Sequence, residues 1–156
     1  MLDQLQSFTD SLPPFLQWLG VMAAGAVPFI ESYGGSALGV AAGVHPVVAV
    51  AAAVIGNVAT MLLAVGLSGA TRDRLVGAPR EQSPRRQRLR ARFDKWGVPG
   101  VSLLGQTLLP SQITSAALVS FGANRRQIIV WQFISIMVWG TVFATLVHLG
   151  VDVLRG

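Results

Sequence analysis

Three stretches of this chain carry no Asp, Glu, Lys or Arg: residues 32–71, 96–124 and 127–151. Each is longer than the ~20 apolar residues that cover the ~30 Å hydrocarbon layer of a bilayer. Of the 156 residues, 12% are charged and 52% hydrophobic, against about 25% charged in an ordinary soluble domain. The sequence therefore reads as an all-α integral membrane protein, a single membrane domain over residues 1–156 with room for one compact bundle. The N-terminus opens with Asp3 and Asp10 rather than basic residues and lacks a clear A-x-A-like cleavage site, so a cleavable signal peptide is not expected. There is no cysteine, which excludes disulfides, thiolate metal sites and a Cys nucleophile.

The positive charge is concentrated. Residues 71–96 hold nine of the twelve basic residues and three of the seven acidic ones. Basic residues that flank apolar spans are retained in the cytoplasm. Residues 71–96 are thus expected to be a cytoplasmic segment that sets the topology and touches anionic lipid. Nucleic-acid binding is not expected, because Phe93 and Trp96 are the only stacking platforms in it.

Helix breakers divide the apolar blocks in a repeating order. Residues 15–30 are expected to form a helix of ~16 residues, roughly 24 Å at 1.5 Å per residue. It meets Glu31, Ser32, Tyr33, Gly34 and Gly35, a poor place to continue a regular helix. A short leg, 36–44, is closed by His45 and Pro46, and 47–68 is a full span with Asn57 at its midpoint. The second half begins at Trp96, Gly97, Pro99 and Gly100. Its leg 101–109 breaks at Pro110, a second leg 113–121 stops at Gly122, Asn124, Arg125 and Arg126, and 127–149 spans. Gly43-Val44-His45-Pro46 can be laid on Gly122-Ala123-Asn124-Arg125, and Gly56 then falls on Ser135. The predicted architecture is two repeats: 13–68 (hairpin 13–45, span 47–68) and 97–150 (hairpin 97–123, span 127–149). The legs of the second hairpin, about 9–13 residues each, are too short to cross, so a re-entrant hairpin is expected. The first hairpin either re-enters in the same way or nearly spans. If both re-enter, they come from opposite faces, the repeats are inverted, and Asp3 and Asp10 lie outside. Paired interrupted segments in corresponding halves point to a transporter's substrate site.

Glu31 is the one acidic residue between positions 11 and 71. A carboxylate at a bilayer centre costs roughly 2.5–3.5 kcal/mol on insertion scales. In a low-dielectric cavity such a group can take and release protons near neutral pH, which would couple transport to protons. Alternatively, Glu31 accepts hydrogen bonds from free N–H groups at the helix break. Ser32, Tyr33, Asn57, Gln106, Thr107, Gln112 and Thr114 are the candidate lining of a substrate pathway. Asn57 suits interhelical hydrogen bonding equally well. The polar tip around Gln106, Thr107, Ser111, Gln112, Thr114 and Ser115 also suits satisfaction of broken backbone. Arg125 and Arg126 are either topology determinants or an anionic headgroup or phosphate site, for which the guanidinium fork is suited. His45 is expected at the interface; His45 and His148 have no carboxylate company, so neither a metal nor another cofactor is expected. Gly20, Gly25, the alanines of 49–53 and Gly56 suit close helix approach. No Walker-type loop, HExxH, GxSxG or paired-carboxylate constellation occurs, so enzyme chemistry is not expected.

The run Pro28-Phe29-Ile30-Glu31-Ser32-Tyr33-Gly34-Gly35, with Gly39 and Gly43 following and Gly56-Asn57 in the span, resembles the small multidrug export protein family, related to the wider DedA-like membrane proteins. Lys95-Trp96-Gly97, then 106–110, then Arg125-Arg126 resemble that family's second hairpin and closing span. The resemblance covers roughly residues 15–150. It implies two oppositely entering hairpins with Glu31 as the protonatable residue, and the wider group is implicated in moving lipid-linked phosphates and in proton-dependent homeostasis. This chain departs around Pro110, where Thr107, Gln112 and Ile113 stand in place of arginines.

Three functions fit. The first is a small secondary transporter of the cytoplasmic membrane, proton-coupled through Glu31, for a hydrophobic or cationic small molecule. The second is a flippase or scramblase of anionic, polyprenyl-phosphate-like lipids working through Arg125 and Arg126. The third is a non-transport scaffold or assembly factor acting through 71–96. Two spans and two hairpins enclose little volume, so a homodimer is expected.

Overall fold

A computed structural model describes residues 2–74, 84–106 and 108–155, and among them the regular structure is all helical. Helix α1 is Leu2–Ser11; a single 3-10 turn, Pro14–Leu16, leads into α2, Gln17–Ala26. There follow α3 (Glu31–Ala41), α4 (Pro46–Arg74), α5 (Pro84–Gly105), α6 (Ser111–Phe121) and α7 (Arg125–Arg155). Two stretches, Pro46–Ala70 in α4 and Arg125–Gly150 in α7, are long and apolar enough to cross a membrane. Only 39% and 33% of their most apolar windows are buried, unlike the core helix of a soluble protein. Their open faces carry large apolar side chains, among them Ile55, Leu63 and Leu67 on α4 and Phe133, Val138 and Leu146 on α7.

The first hairpin breaks four residues earlier than its glycines suggest. Pro28 disfavours helical backbone at the residue before it, and Val27 is extended at φ −77°, ψ 125°. That ends α2 at Ala26. Phe29 (φ 73°) and Glu31 (φ 53°) then take left-handed backbone, and the chain restarts as α3 at Glu31 itself. The Gly34-Gly35 pair lies inside α3, against expectation. Tertiary contact outweighs the low helix propensity: Gly35 lies against the backbone of Gly25 and the Cβ of Ala53, where a side chain would collide.

Where it is described, the basic segment is helical. Residues 71–74 continue α4, and from Pro84 onward the segment is helical, with a kink at Gly97 (φ 64°) where the second hairpin begins. Residues 75–83 lie outside the described residues. Arg90 bridges Asp94 one turn on at 3.3 Å, and its guanidinium lies 5.2 Å from the Phe121 ring centre.

The second legs of both hairpins end in the same way. Gly43 (φ 89°) and Gly122 (φ 95°) adopt left-handed backbone. Val44 N–H donates to Gly39 O at 2.9 Å, and Ala123 N–H to Leu118 O at 3.1 Å, the paired closure that satisfies the last carbonyls of a helix. Each is followed two residues later by a side chain that caps the next helix. Val47 N–H donates to His45 Nδ1 at 3.3 Å, and Arg126 N–H to Asn124 Oδ1 at 2.9 Å. The aligned tetrapeptides of the two halves are thus the same α-turn-α junction.

The chain divides into two compact units, residues 1–59 with 136–156, and residues 60–135. The first has its core at Val21, Val40, Ala49, Ala52, Ala53 and Ala144. Small residues let backbones meet there: a Cβ on Gly56 would run into the Met22 carbonyl oxygen, and one on Gly25 into Ala53. Thr9 of α1 fills the space over Gly20. In the second, α5 packs on α6, with Val98, Val101, Leu118, Val119 and Ile128 buried.

Candidate functional site

In the first unit, the carboxyl-bearing residue is fully enclosed. Glu31 has 0% exposure and sits at the first position of α3, its N–H donating to Val27 O at 3.0 Å. A left-handed non-glycine residue is held only by surroundings that over-determine it, and such strain clusters at functional sites. The surroundings here are two serines that pin α3 to α7: Ser32 Oγ donates to Ile136 O and Ser36 Oγ to Gly140 O, both at 2.8 Å. Tyr33 closes the turn, its hydroxyl donating to Phe29 O at 2.8 Å and its ring 5.3 Å from that of Phe143. Asn57 is also fully buried in this unit. Of the residues expected to line a pathway, Ser32 and Tyr33 therefore have identifiable holding roles and Asn57 is enclosed; Glu31, the expected proton-coupling residue, is enclosed as well.

In the second unit the polar residues meet around the α5–α6 break. Pro110 (φ −53°, ψ 144°) precedes α6, and no side chain caps that helix. Gln106, Ser111, Gln112, Thr114 and Ser115 are all buried. Gln112 Nε2 donates to Thr60 Oγ1 at 2.9 Å. Ser135 Oγ lies 2.8 Å from Ser102 O and in hydrogen-bond contact with the Gln106 amide; with one proton it donates to a single acceptor at a time. Thr114 lies across from Gly105: a Cβ there would sit 3.7 Å from Thr114 Oγ1. Thr107 lies outside the described residues. Arg125 and Arg126 are exposed at the start of α7, and the Arg125 guanidinium covers Gly69 of α4. Cations at a helix N-terminus oppose the macrodipole, so local helix energetics do not account for this pair.

Ser102, Gln132 and Ser135 are functional candidates that sequence reasoning passed over. All three are buried. Uncharged residues leave the apolar runs unbroken; the available signal was helical spacing, since Ile128, Gln132, Ser135 and Ile136 recur on one face of α7. Among the described residues there is no cluster of three His, Cys, Asp or Glu that could hold a metal. No family model, curated protein or solved structure matches the chain.

Proposed function

We propose that this chain is a small secondary transporter of the cytoplasmic membrane, driven by protons exchanged at Glu31, that moves a hydrophobic or cationic small molecule. The observation that carries this is an enclosed carboxyl residue held at a left-handed backbone break. It occurs in a chain whose two longest helices suit a bilayer. A carboxyl group removed from water resists ionisation. In the proposed carrier this group exchanges protons when its surroundings open to water.

The short legs support re-entrant hairpins. Helices α2, α3 and α6 have 10, 11 and 11 residues, about 15–17 Å at 1.5 Å per residue, roughly half the hydrocarbon thickness. The matching junctions at Gly43 and Gly122 support an internal repeat. With residues 71–96 in the cytoplasm, the hairpins enter from opposite faces and the repeats are inverted, as in the small multidrug export and DedA-like proteins that the chain resembles. A homodimer would cover part of the apolar faces of α4 and α7.

The test is substrate-dependent proton flux in liposomes holding the full chain and a pH-sensitive dye, with hydrophobic cations and neutral drugs as candidates. Flux is expected from the native chain and is expected to vanish in Glu31→Gln. Equal flux from both removes Glu31 as the coupling group. A second reading is favoured by the exposed Arg125 and Arg126: a flippase or scramblase that captures anionic, polyprenyl-phosphate-like headgroups. A leaflet-exposure assay separates the two, since Arg125→Gln with Arg126→Gln then stops lipid movement while Glu31-dependent proton flux is absent.

A further inference from the structure

Among the described residues, five side chains of the second unit have buried polar atoms with no hydrogen-bond partner: Ser102, Gln106, Thr114, Ser115 and Gln132. None is more than 5% exposed. Both ends of the Gln132 amide are open. Whichever way the Gln106 amide is turned against Ser135, its other end is open. Folded proteins leave roughly a few such groups per 100 residues; here they lie on α5 or just past its end, on α6 and on the first half of α7.

The groups are linked. Ser135, one turn along α7 from Gln132, touches Gln106 and the Ser102 carbonyl, and Thr114 lies across from the residue before Gln106. The first unit shows what satisfied serines look like in the matching helix. Laying Gly43 on Gly122 puts Ser36 on Ser115. Ser36 donates to Gly140 O of α7, whereas Ser115 Oγ has no protein partner among the described residues. At this position the second hairpin thus keeps open a hydroxyl that the first spends on helix packing.

The open groups include no ionisable side chain. Glu31, in the first unit, is the one buried ionisable residue among the described residues. An ion in the second unit would lose its hydration with no opposite charge to meet it. Amides and hydroxyls offer donors and acceptors together. We infer that the cluster of Ser102, Gln106, Thr114, Ser115 and Gln132 is a binding site for an uncharged hydrogen-bonding group, a hydroxyl or amide borne by the transported molecule. This refines the substrate class of the proposed carrier and rests on that reading. It narrows the cargo to molecules that bear such a group.

The site can be probed without any flux measurement, so its failure and that of proton coupling at Glu31 are distinguishable. The full chain has no native cysteine. Ser115→Cys and, as a control on the same helix, Leu118→Cys are reconstituted in vesicles and treated with three methanethiosulfonates: hydroxyethyl (neutral), trimethylammonioethyl (cationic) and sulfonatoethyl (anionic). Ser115→Cys is expected to react with the neutral reagent at least about tenfold faster than with either charged one, and at least about tenfold faster than Leu118→Cys does. Equal rates for Ser115→Cys and Leu118→Cys, as expected of a dry core or a site that holds only water, overturn the inference. So does equal reaction with a charged reagent. Where Ser115→Cys fails to fold, Ser102→Cys takes its place. A second measurement uses Gln132→Leu: a solvated site predicts an unchanged or lower unfolding midpoint, whereas a rise marks an amide buried dry and overturns it.

Discussion

Glu31 bears two costs at once, enclosure of a carboxyl group and left-handed backbone at φ 53°. Left-handed backbone costs a non-glycine residue about 1–3 kcal/mol when surrounding structure enforces it. Phe29 shares the strain at φ 73° but is exposed, so relief there is separable from the carboxyl chemistry. Phe29→Gly is expected to raise unfolding stability by about 1 kcal/mol, measured by denaturant titration in mixed micelles; a clear fall would show that the phenyl contacts outweigh the backbone. Gly56 is constrained the opposite way. Its Cα faces the Met22 carbonyl oxygen, and Gly56→Val is expected to destabilise by about 3 kcal/mol or more, since backbone cannot retreat as a side chain can. Glu31 was legible as a candidate because charge is rare in this chain. Gln132 was not, because an uncharged residue interrupts no apolar run and its burial depends on which face of α7 meets the protein.

At the level of elements, the junctions 39–47 and 118–126 do equivalent work: a left-handed glycine ends one helix and a polar side chain starts the next. Gly43→Ala and Gly122→Ala are each expected to cost about 1 kcal/mol, because the added Cβ opposes positive φ. Gly66 sits inside α4 with nothing near its Cα, so Gly66→Ala is expected to be neutral or to stabilise by up to about 1 kcal/mol. Equal effects at all three positions would mean that backbone sign does not set them. The junctions were visible as aligned tetrapeptides, since caps are encoded locally. The break at Pro28 was also written locally, in the extended preference of Val27, but the following Gly34-Gly35 drew the boundary too far along the chain. Those glycines stay helical because Gly35 must lie against Gly25 and Ala53, a contact between residues of different helices that no local propensity reports.

For the molecule as a whole, the inverted arrangement proposed above makes a prediction about sidedness. His45 and Asn124 are exposed and occupy matching places in the two halves. In right-side-out vesicles, His45→Cys is expected to react with an impermeant maleimide and Asn124→Cys to react only after the membrane is opened. Reaction of both from one side would remove the inverted topology and, with it, the alternating arrangement that a carrier needs. Replacing residues 80–92 by a neutral linker separates a scaffold from a carrier: a scaffold loses its function and tolerates Glu31→Gln, and a carrier does the reverse. Composition and the spacing of breakers determined, without coordinates, that the chain is helical, that two stretches can cross a membrane and that a lone carboxyl residue sits in the apolar sequence before the first of them. These follow from solvent and length, which are properties of a segment by itself. Tertiary structure decided which serines are spent on helix contacts and which polar groups stay open, and that Glu31 begins a helix rather than ends one. Burial and hydrogen bonding belong to pairs of helices, and the phase at which two helices meet is set by small residues far apart in the chain, such as Gly25 against Ala53 and Gly56 against Met22.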